Sequence, residues 1–314
     1  MKEAEFLRQL SFLPQFEEGQ TKSFQYDNVI VGGMGGSALP AKILFFLDPV
    51  FPLWLHDDYD LPEKSDNKTL FVAISYSGET RETLSFASKV LERNLPLIVI
   101  SSGGVLTALA QEHDLPRVII PGGLQPRNAT LYMLRALLFV TGHEAMLKEL
   151  ENVGINFGKL VQEGKEVASH FHNEIPLVYS SRRNGALSVI WKIMLTESGK
   201  MPVFTNVFPE LTHNEVQGIV PVTAGERAKI FKTLLLVDAE DDERIRRSMS
   251  VFLSMAAEND IKTETLELPS GKAAKLLSTL VQAHAAAVTL VEERGVDPDS
   301  VPFIESFKKL LWPK

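Results

Sequence analysis

The sequence predicts an α/β protein made of two doubly wound parallel-sheet domains, over residues 1–150 and 151–314. Three observations carry that prediction. Short, nearly continuous apolar runs such as Leu70–Ser75 and Leu97–Ser101 alternate with stretches of helical period, which is the pattern of buried parallel strands between covering helices. A turn of glycines (Gly32, Gly33, Gly35 and Gly36) joins the first such run to an apolar helix. Beyond a helical connector at 143–172 the alternation starts again. At 314 residues the chain is also longer than one ordinary core.

In chain order, Phe6, Leu7, Leu10 and Phe12 mark a short amphipathic helix over 3–12, and 15–27 read as a polar loop. Asn28–Val31 is a buried strand. Ser37 stands where a helix N-cap belongs, ahead of the helix Ala38–Leu47. Pro52–His56 is a second strand and Leu70–Ser75 a central one, followed at once by the helix Glu79–Val90. Leu97–Ser101 is a strand, Val105–Glu112 a helix and Val118–Pro121 a strand. Asn128 opens a long apolar helix through Thr141. In the second half, strands are expected at Ile175–Ser180, Pro202–Asn206, Lys232–Val237 and Thr263–Leu268. Helices are expected at Leu187–Glu197, Asp241–Asn259, Lys272–Glu293 and Ile304–Leu311.

Composition excludes several classes. A net charge of −8 gives no electrostatic footprint for nucleic acid. The absence of cysteine rules out disulfides, thiolate metal sites and a cysteine nucleophile. Met1–Glu5 lacks the apolar core of a signal peptide, and the densest apolar stretch is broken by Arg135 and His143. No run is expected to reach spanning length, so the expectation is a soluble cytoplasmic protein with no membrane contact.

Two turns carry chemistry. The glycine turn aims free backbone N–H groups and the positive end of a helix dipole at one place, which suits phosphate, with Gly36 and Ser37 closest to it. No Gly-Lys-Ser/Thr follows, so it is not a P-loop. Gly33, Gly35 and Ala38 match a dinucleotide fingerprint only loosely. The second turn, Ser75-Tyr76-Ser77-Gly78-Glu79-Thr80, gathers the hydroxyls of Ser75, Ser77 and Thr80 at a helix start. A single serine there would be an N-cap and nothing more. Three hydroxyls at the carboxyl end of a central strand make a second phosphate cradle.

These two turns together resemble a sugar isomerase (SIS) domain. Glu197-Ser198-Gly199-Lys200-Met201-Pro202 narrows the likeness, as does Pro209-Glu210-Leu211-Thr212-His213-Asn214-Glu215-Val216-Gln217-Gly218. With Pro126-Arg127 before the Asn128 helix and Asp297-Pro298 ahead of a late lysine, the chain resembles the bifunctional phosphoglucose/phosphomannose isomerases. The resemblance spans nearly the whole chain and is most specific at His-Asn-Glu. It implies two flavodoxin-like SIS domains and a homodimer with shared active sites. It also implies metal- and cofactor-free interconversion of glucose 6-phosphate or mannose 6-phosphate with fructose 6-phosphate.

The residues suit that chemistry. Moving a proton between C1 and C2 through a cis-enediol needs a carboxylate base, a cation for the developing oxyanion, and a group that opens the ring. Glu197 ends an apolar helical segment (Val189, Ile190, Ile193, Met194, Leu195), where the residues alone fit either a solvated helix end or a partly desolvated carboxylate; with the resemblance it is assigned the C1/C2 proton transfer. The resemblance implies that His213 opens the ring, reaching in from the partner subunit. Arg127 carries a permanent charge for the enediolate, and as a mere surface charge it would oppose the dipole of the helix it precedes. A C-terminal lysine reaches the ring oxygen in the family; Lys308 is preferred here and Lys309 stays open. His284, on an alanine-rich helix, reads as a packed core histidine. No threonine stands near Ser300–Pro302, where the family ties one to mannose 6-phosphate, so that substrate stays open. A non-catalytic phosphosugar-binding SIS regulator is the alternative, but the helix-turn-helix and basic face of such proteins are missing. A dinucleotide-dependent oxidoreductase, with Asp57-Asp58 ending its second strand, would leave the Ser/Thr cradle unexplained.

Overall fold

The computed structural model describes residues 2–17, 25–63, 65–171, 173–220, 225–292 and 294–311. The chain divides into two compact units, Met1–Gly154 and Ile155–Lys314. The polar loop expected over 15–27 lies partly outside the described residues, as does Glu293 at the end of its expected helix.

The first unit holds strands β1 (Asn28–Gly32), β2 (Leu53–His56), β3 (Thr69–Ser75), β4 (Leu97–Ser101) and β5 (Arg117–Ile119). Its helices are α1 (Glu3–Leu10), α2 (Leu39–Leu47), α3 (Arg81–Glu92), α4 (Gly104–Glu112), α5 (Thr130–Val140) and α6 (Glu144–Asn152). All strand pairs are parallel, in the order β2-β1-β3-β4-β5. Every residue of β3 is buried, as an unbroken apolar run between two helical layers requires. Phe71, Val99 and Leu97 pack with Phe86 and Val90 of α3 and Leu106 of α4. The winding reverses between β1 and β3, and the crevice beyond their carboxyl ends is where such sheets bind ligands.

Two local expectations are corrected here. Ser37 is not an N-cap: it lies inside a 3-10 turn, Gly35–Ala38, and α2 begins only at Leu39. Helix α3 starts at Arg81 rather than Glu79, because Ser77–Thr80 form a turn of their own.

The second unit repeats the winding with β6 (Ile175–Ser181), β7 (Phe204–Phe208), β8 (Phe231–Val237) and β9 (Thr263–Glu267), all parallel, in the order β7-β6-β8-β9. Its helices are α7 (Phe157–Ser169), α8 (Gly185–Ile193), α9 (Glu243–Glu258), α10 (Lys272–Glu292) and α11 (Pro302–Leu311). Leu177, Tyr179 and Leu235 pack against Met249 and Phe252 of α9. The strand expected at 202–206 runs two residues later. Helix α10 corrects the expectation about spanning length: its 21 residues are long and apolar enough to cross a bilayer, yet 72% of its most apolar window is buried within the fold. His284 on it is buried, as expected.

Candidate active site

In the first unit four loops meet at the carboxyl edge of the sheet. Ser37, 4% exposed, accepts the Tyr76 N–H on its Oγ at 3.1 Å and so ties the glycine turn to the Ser/Thr turn. Its hydroxyl hydrogen remains for another acceptor. Tyr76 also accepts the Leu124 N–H (3.0 Å) on its hydroxyl and donates to Pro121 O (3.1 Å), while Ser102 N donates to Tyr76 O (3.0 Å). Sequence reasoning missed this tyrosine because its partners lie up to 48 residues away.

The glycines serve the protein's own packing before any ligand. A Cβ on Gly36 would stand 2.7 Å from Arg127 N and 2.9 Å from Pro126 C. The turn therefore lies directly against the Pro126–Ala129 3-10 turn, and Arg127 is 1% exposed rather than a surface charge. Gly78 has φ +70°, and a Cβ there would meet Gly103 O at 1.9 Å; only glycine lets these two loops touch.

The three hydroxyls of the second turn divide their work. Ser75 is fully buried; it donates to Thr80 Oγ1 (3.0 Å) and accepts the Gly78 N–H (3.1 Å), bracing the turn from beneath. Thr80 is half-buried and Ser77 exposed, the latter accepting the Glu79 N–H at 3.2 Å. Both hydroxyls keep a proton to donate outward. Glu79 turns away to accept the Val105 N–H at 3.1 Å, satisfying an orphan donor in the first turn of α4.

In the second unit α8 ends in a π-helical turn, Met194–Ser198, in which Gly199 N donates to Met194 O. Such turns recur at functional sites. This one carries Glu197, half-buried at the edge of a cavity of about 440 Å³ that is also lined by Lys200, Asp297 and Ser300. Lys200, with φ +55°, donates from Nζ to the carbonyl oxygens of Glu197 (2.5 Å), Pro298 (3.1 Å) and Ser300 (2.5 Å). Arg294 adds a bond to Gly199 O at 2.7 Å. The two cations thus bind the Glu197 turn to the segment leading into α11. The lysine of Glu-Ser-Gly-Lys-Met-Pro was in view in the sequence; its carbonyl partners, about a hundred residues away, were not.

His213 is exposed on a 3-10 turn, Glu210–His213, and borders a different cavity, of about 570 Å³, with Val216, Phe252 and Met255. Within the unit Glu197 and His213 therefore line separate cavities. Lys308 and Lys309 are exposed on α11, none of whose described side chains is buried. Among the described residues no group of three or more histidines and carboxylates is placed to hold a metal ion.

Comparison with known proteins shows which family the chain resembles. A model described as the bacterial phospho-glucose isomerase C-terminal SIS domain matches residues 160–311. The chain is 33% identical over 299 residues to a bifunctional phosphoglucose/phosphomannose isomerase of Thermoplasma volcanium, covering 92% of this chain and 93% of that protein. It is 29% identical over 315 residues to the protein of the same name from Thermoplasma acidophilum, covering 99% and 98%. Among solved structures, a hypothetical protein from Thermus thermophilus superposes with a TM-score of 0.72 at 20% identity, covering 91% of this chain and 83% of that one, a likeness of fold.

Proposed function

This chain belongs to the bifunctional phosphoglucose/phosphomannose isomerase family, and on that premise we propose that it interconverts glucose 6-phosphate and fructose 6-phosphate as an aldose–ketose isomerase. Mannose 6-phosphate is the second aldose, named with glucose in its relatives. Relatives that share nearly the full length carry the isomerase name, which disfavours a non-catalytic phosphosugar-binding regulator.

The observation that carries the reading is the paired turns of the first unit, joined by the Ser37–Tyr76 bond, which leave donor hydroxyls on Ser37, Ser77 and Thr80. We assign the phosphate to these and to the backbone at Gly36, with Ser75 orienting Thr80. Glu197 takes the proton from C2 of the aldose and returns it to C1. The electron pair passes through the enediol while O2 gives up a proton and O1 takes one, so the carbons exchange oxidation level with no net oxidation and no redox cofactor is consumed. Arg127 stabilises the enediolate oxygen. His213 opens the ring with Lys308 at the ring oxygen. The separate cavities of Glu197 and His213 support a homodimer in which each subunit lends its histidine to the other.

The test is turnover of fructose 6-phosphate, with glucose 6-phosphate and mannose 6-phosphate measured by separate coupled reactions in the presence of EDTA. Activity is expected to survive the chelator. Glu197→Gln is expected to lower kcat by roughly 10²- to 10⁴-fold while sugar phosphate still binds, the span expected for a lost proton-transfer group. Retained turnover removes Glu197 as the base.

A further inference from the structure

We propose that Glu215 is a positioning residue for His213, its carboxylate spanning two strands and thereby fixing the arm on which the histidine is carried. This rests on the assignment of His213 to ring opening. Tyr179 of β6 donates its hydroxyl to Glu215 Oε1 at 2.6 Å, and Asn206 of β7 donates its Nδ2 to Oε2 at 2.6 Å. Both oxygens are thus taken by short, charge-assisted bonds from adjacent strands. The Asn206 amide cannot turn round freely, because its Oδ1 accepts the Val207 N–H at 2.8 Å. Tyr179 is fully buried, edge-on to Phe252. Burial and the neighbouring carboxylate push its phenol above the ordinary value, so it remains a donor. A buried hydroxyl left without an acceptor there would be costly.

The arm is two successive 3-10 turns, Glu210–His213 and Glu215–Ile219. Leu211 and Ile219 bury into the cluster that holds Tyr179. Between them His213 and Asn214 stand exposed. Asn214 braces the tip, donating Nδ2 to Glu210 Oε1 at 2.9 Å and accepting the Glu215 N–H at 2.6 Å. The three residues His-Asn-Glu therefore divide into a reaching group, a brace and an anchor. An exposed imidazole two residues from a carboxylate held on both oxygens gains orientation without burial, which a group that must reach a substrate needs.

Glu215→Gln leaves an oxygen for Tyr179 but turns an NH₂ toward the Asn206 NH₂, donor against donor. Adding Asn206→Asp restores an acceptor. The full-length protein is assayed with fructose 6-phosphate and with 5-deoxyfructose 6-phosphate, which has no O5 and cannot close the furanose ring. Relative to the unsubstituted protein, Glu215→Gln is expected to lower kcat/KM for fructose 6-phosphate at least ten-fold and to leave the acyclic substrate within two-fold. Asn206→Asp in that background is expected to recover the loss to within three-fold. Tyr179→Phe, which keeps the packed ring, is expected to show a smaller loss with the same selectivity, and it serves if the glutamine variant does not fold. Equal loss on both substrates, or no rescue, makes Glu215 merely structural and overturns the inference. His213→Asn separates the two claims: if it too spares the acyclic substrate while Glu215→Gln does not, the inference alone fails. If His213→Asn slows both substrates or neither, the ring-opening assignment fails and the inference falls with it.

Discussion

The two units wind their strands alike, yet the crevice at the carboxyl edge is lined in opposite ways. In the first, the loops after β1 and β3 offer glycine backbone and hydroxyls. In the second, the corresponding loops are Arg182–Asn184 after β6 and 238–242 after β8, and the second of these is acidic. There the protein supplies its own anions. Ser181 donates to Asp241 Oδ1 at 2.8 Å, and Asn184 Nδ2 donates to Asp238 Oδ2 at 2.8 Å, so carboxylates sit at the start of α8 where a phosphate would otherwise bind. Lys275 of α10, fully buried, closes the cluster with bonds of 2.7 Å to Asp238 and to Glu240. The same topology thus gives the crevice assigned here to the phosphate where the loops leave hydroxyl donors facing outward and turn their one carboxylate, Glu79, away. It gives a sealed structural one where they bring donors and carboxylates together.

The largest expected effect breaks the sealed crevice. Lys275→Met leaves Asp238, 1% exposed, without its counter-charge. A denaturant titration is expected to show a loss of about 3–5 kcal/mol, the usual cost of stranding one member of a buried pair. Most of it should return in Lys275→Met with Asp238→Asn, where no charge is stranded. A loss below about 1 kcal/mol would mean the cluster is open to water after all.

Next come the hydroxyls of the open crevice. Ser77→Ala and Thr80→Ala should each raise KM for fructose 6-phosphate roughly ten- to hundred-fold, a charge-assisted bond being worth about 1.5–3 kcal/mol. Ser181→Ala in the sealed crevice should leave KM unchanged and lower stability instead. An equal KM effect in both would erase the functional difference between the crevices. Gly36→Ala should follow: its Cβ would meet Arg127 N at 2.7 Å, and overpacking of this kind costs about 1–3 kcal/mol. Weaker sugar-phosphate binding together with a lower Tm is the expected outcome.

Much of this was legible in the sequence, for a local reason. Buried parallel strands are short apolar runs, so β3 and β4 stand out within a residue or so of where they lie. Helix ends were less so. Glu79 looked like the start of α3, but its carboxylate is spent on α4, 26 residues on. The helix through Glu197 was visible, but its π turn was not, since one extra residue in a turn leaves the apolar pattern nearly unchanged. In the first unit's crevice the donor side chains could be read from residue type. What joins them, Ser37 to Tyr76 and Gly36 to Arg127, spans 39 and 91 positions and follows from the strand order alone. The acidic loop of the second unit carried no such signal, because Asp238–Asp242 reads as an exposed turn until β6 and β8 are placed side by side.

Titration offers the gentlest way to separate the crevices. Serine and threonine hydroxyls do not change charge, whereas the sealed crevice is held by carboxylates. Glu240 is held down at about 2 by Lys275 first, then by Ser270 and the Gly271 N–H. Its folded value lies below its ordinary 4.5, so the folded state binds fewer protons than the unfolded between those limits. The stabilisation it gives is therefore complete above about pH 4.5 and fades as the pH falls toward 2. Asp241, raised by burial, acts in the opposite sense, because its folded form takes a proton more readily than the unfolded one. Through Glu240, acid should loosen the second unit's crevice before the first unit's hydroxyl-lined one. Hydrogen exchange followed between about pH 6 and 3.5, after correction for intrinsic rates, should show protection falling in peptides over 181–185 and 238–242 and holding over 33–38 and 76–80. Glu240→Gln should flatten that pH dependence, and a dependence that survives the substitution would assign it to another group.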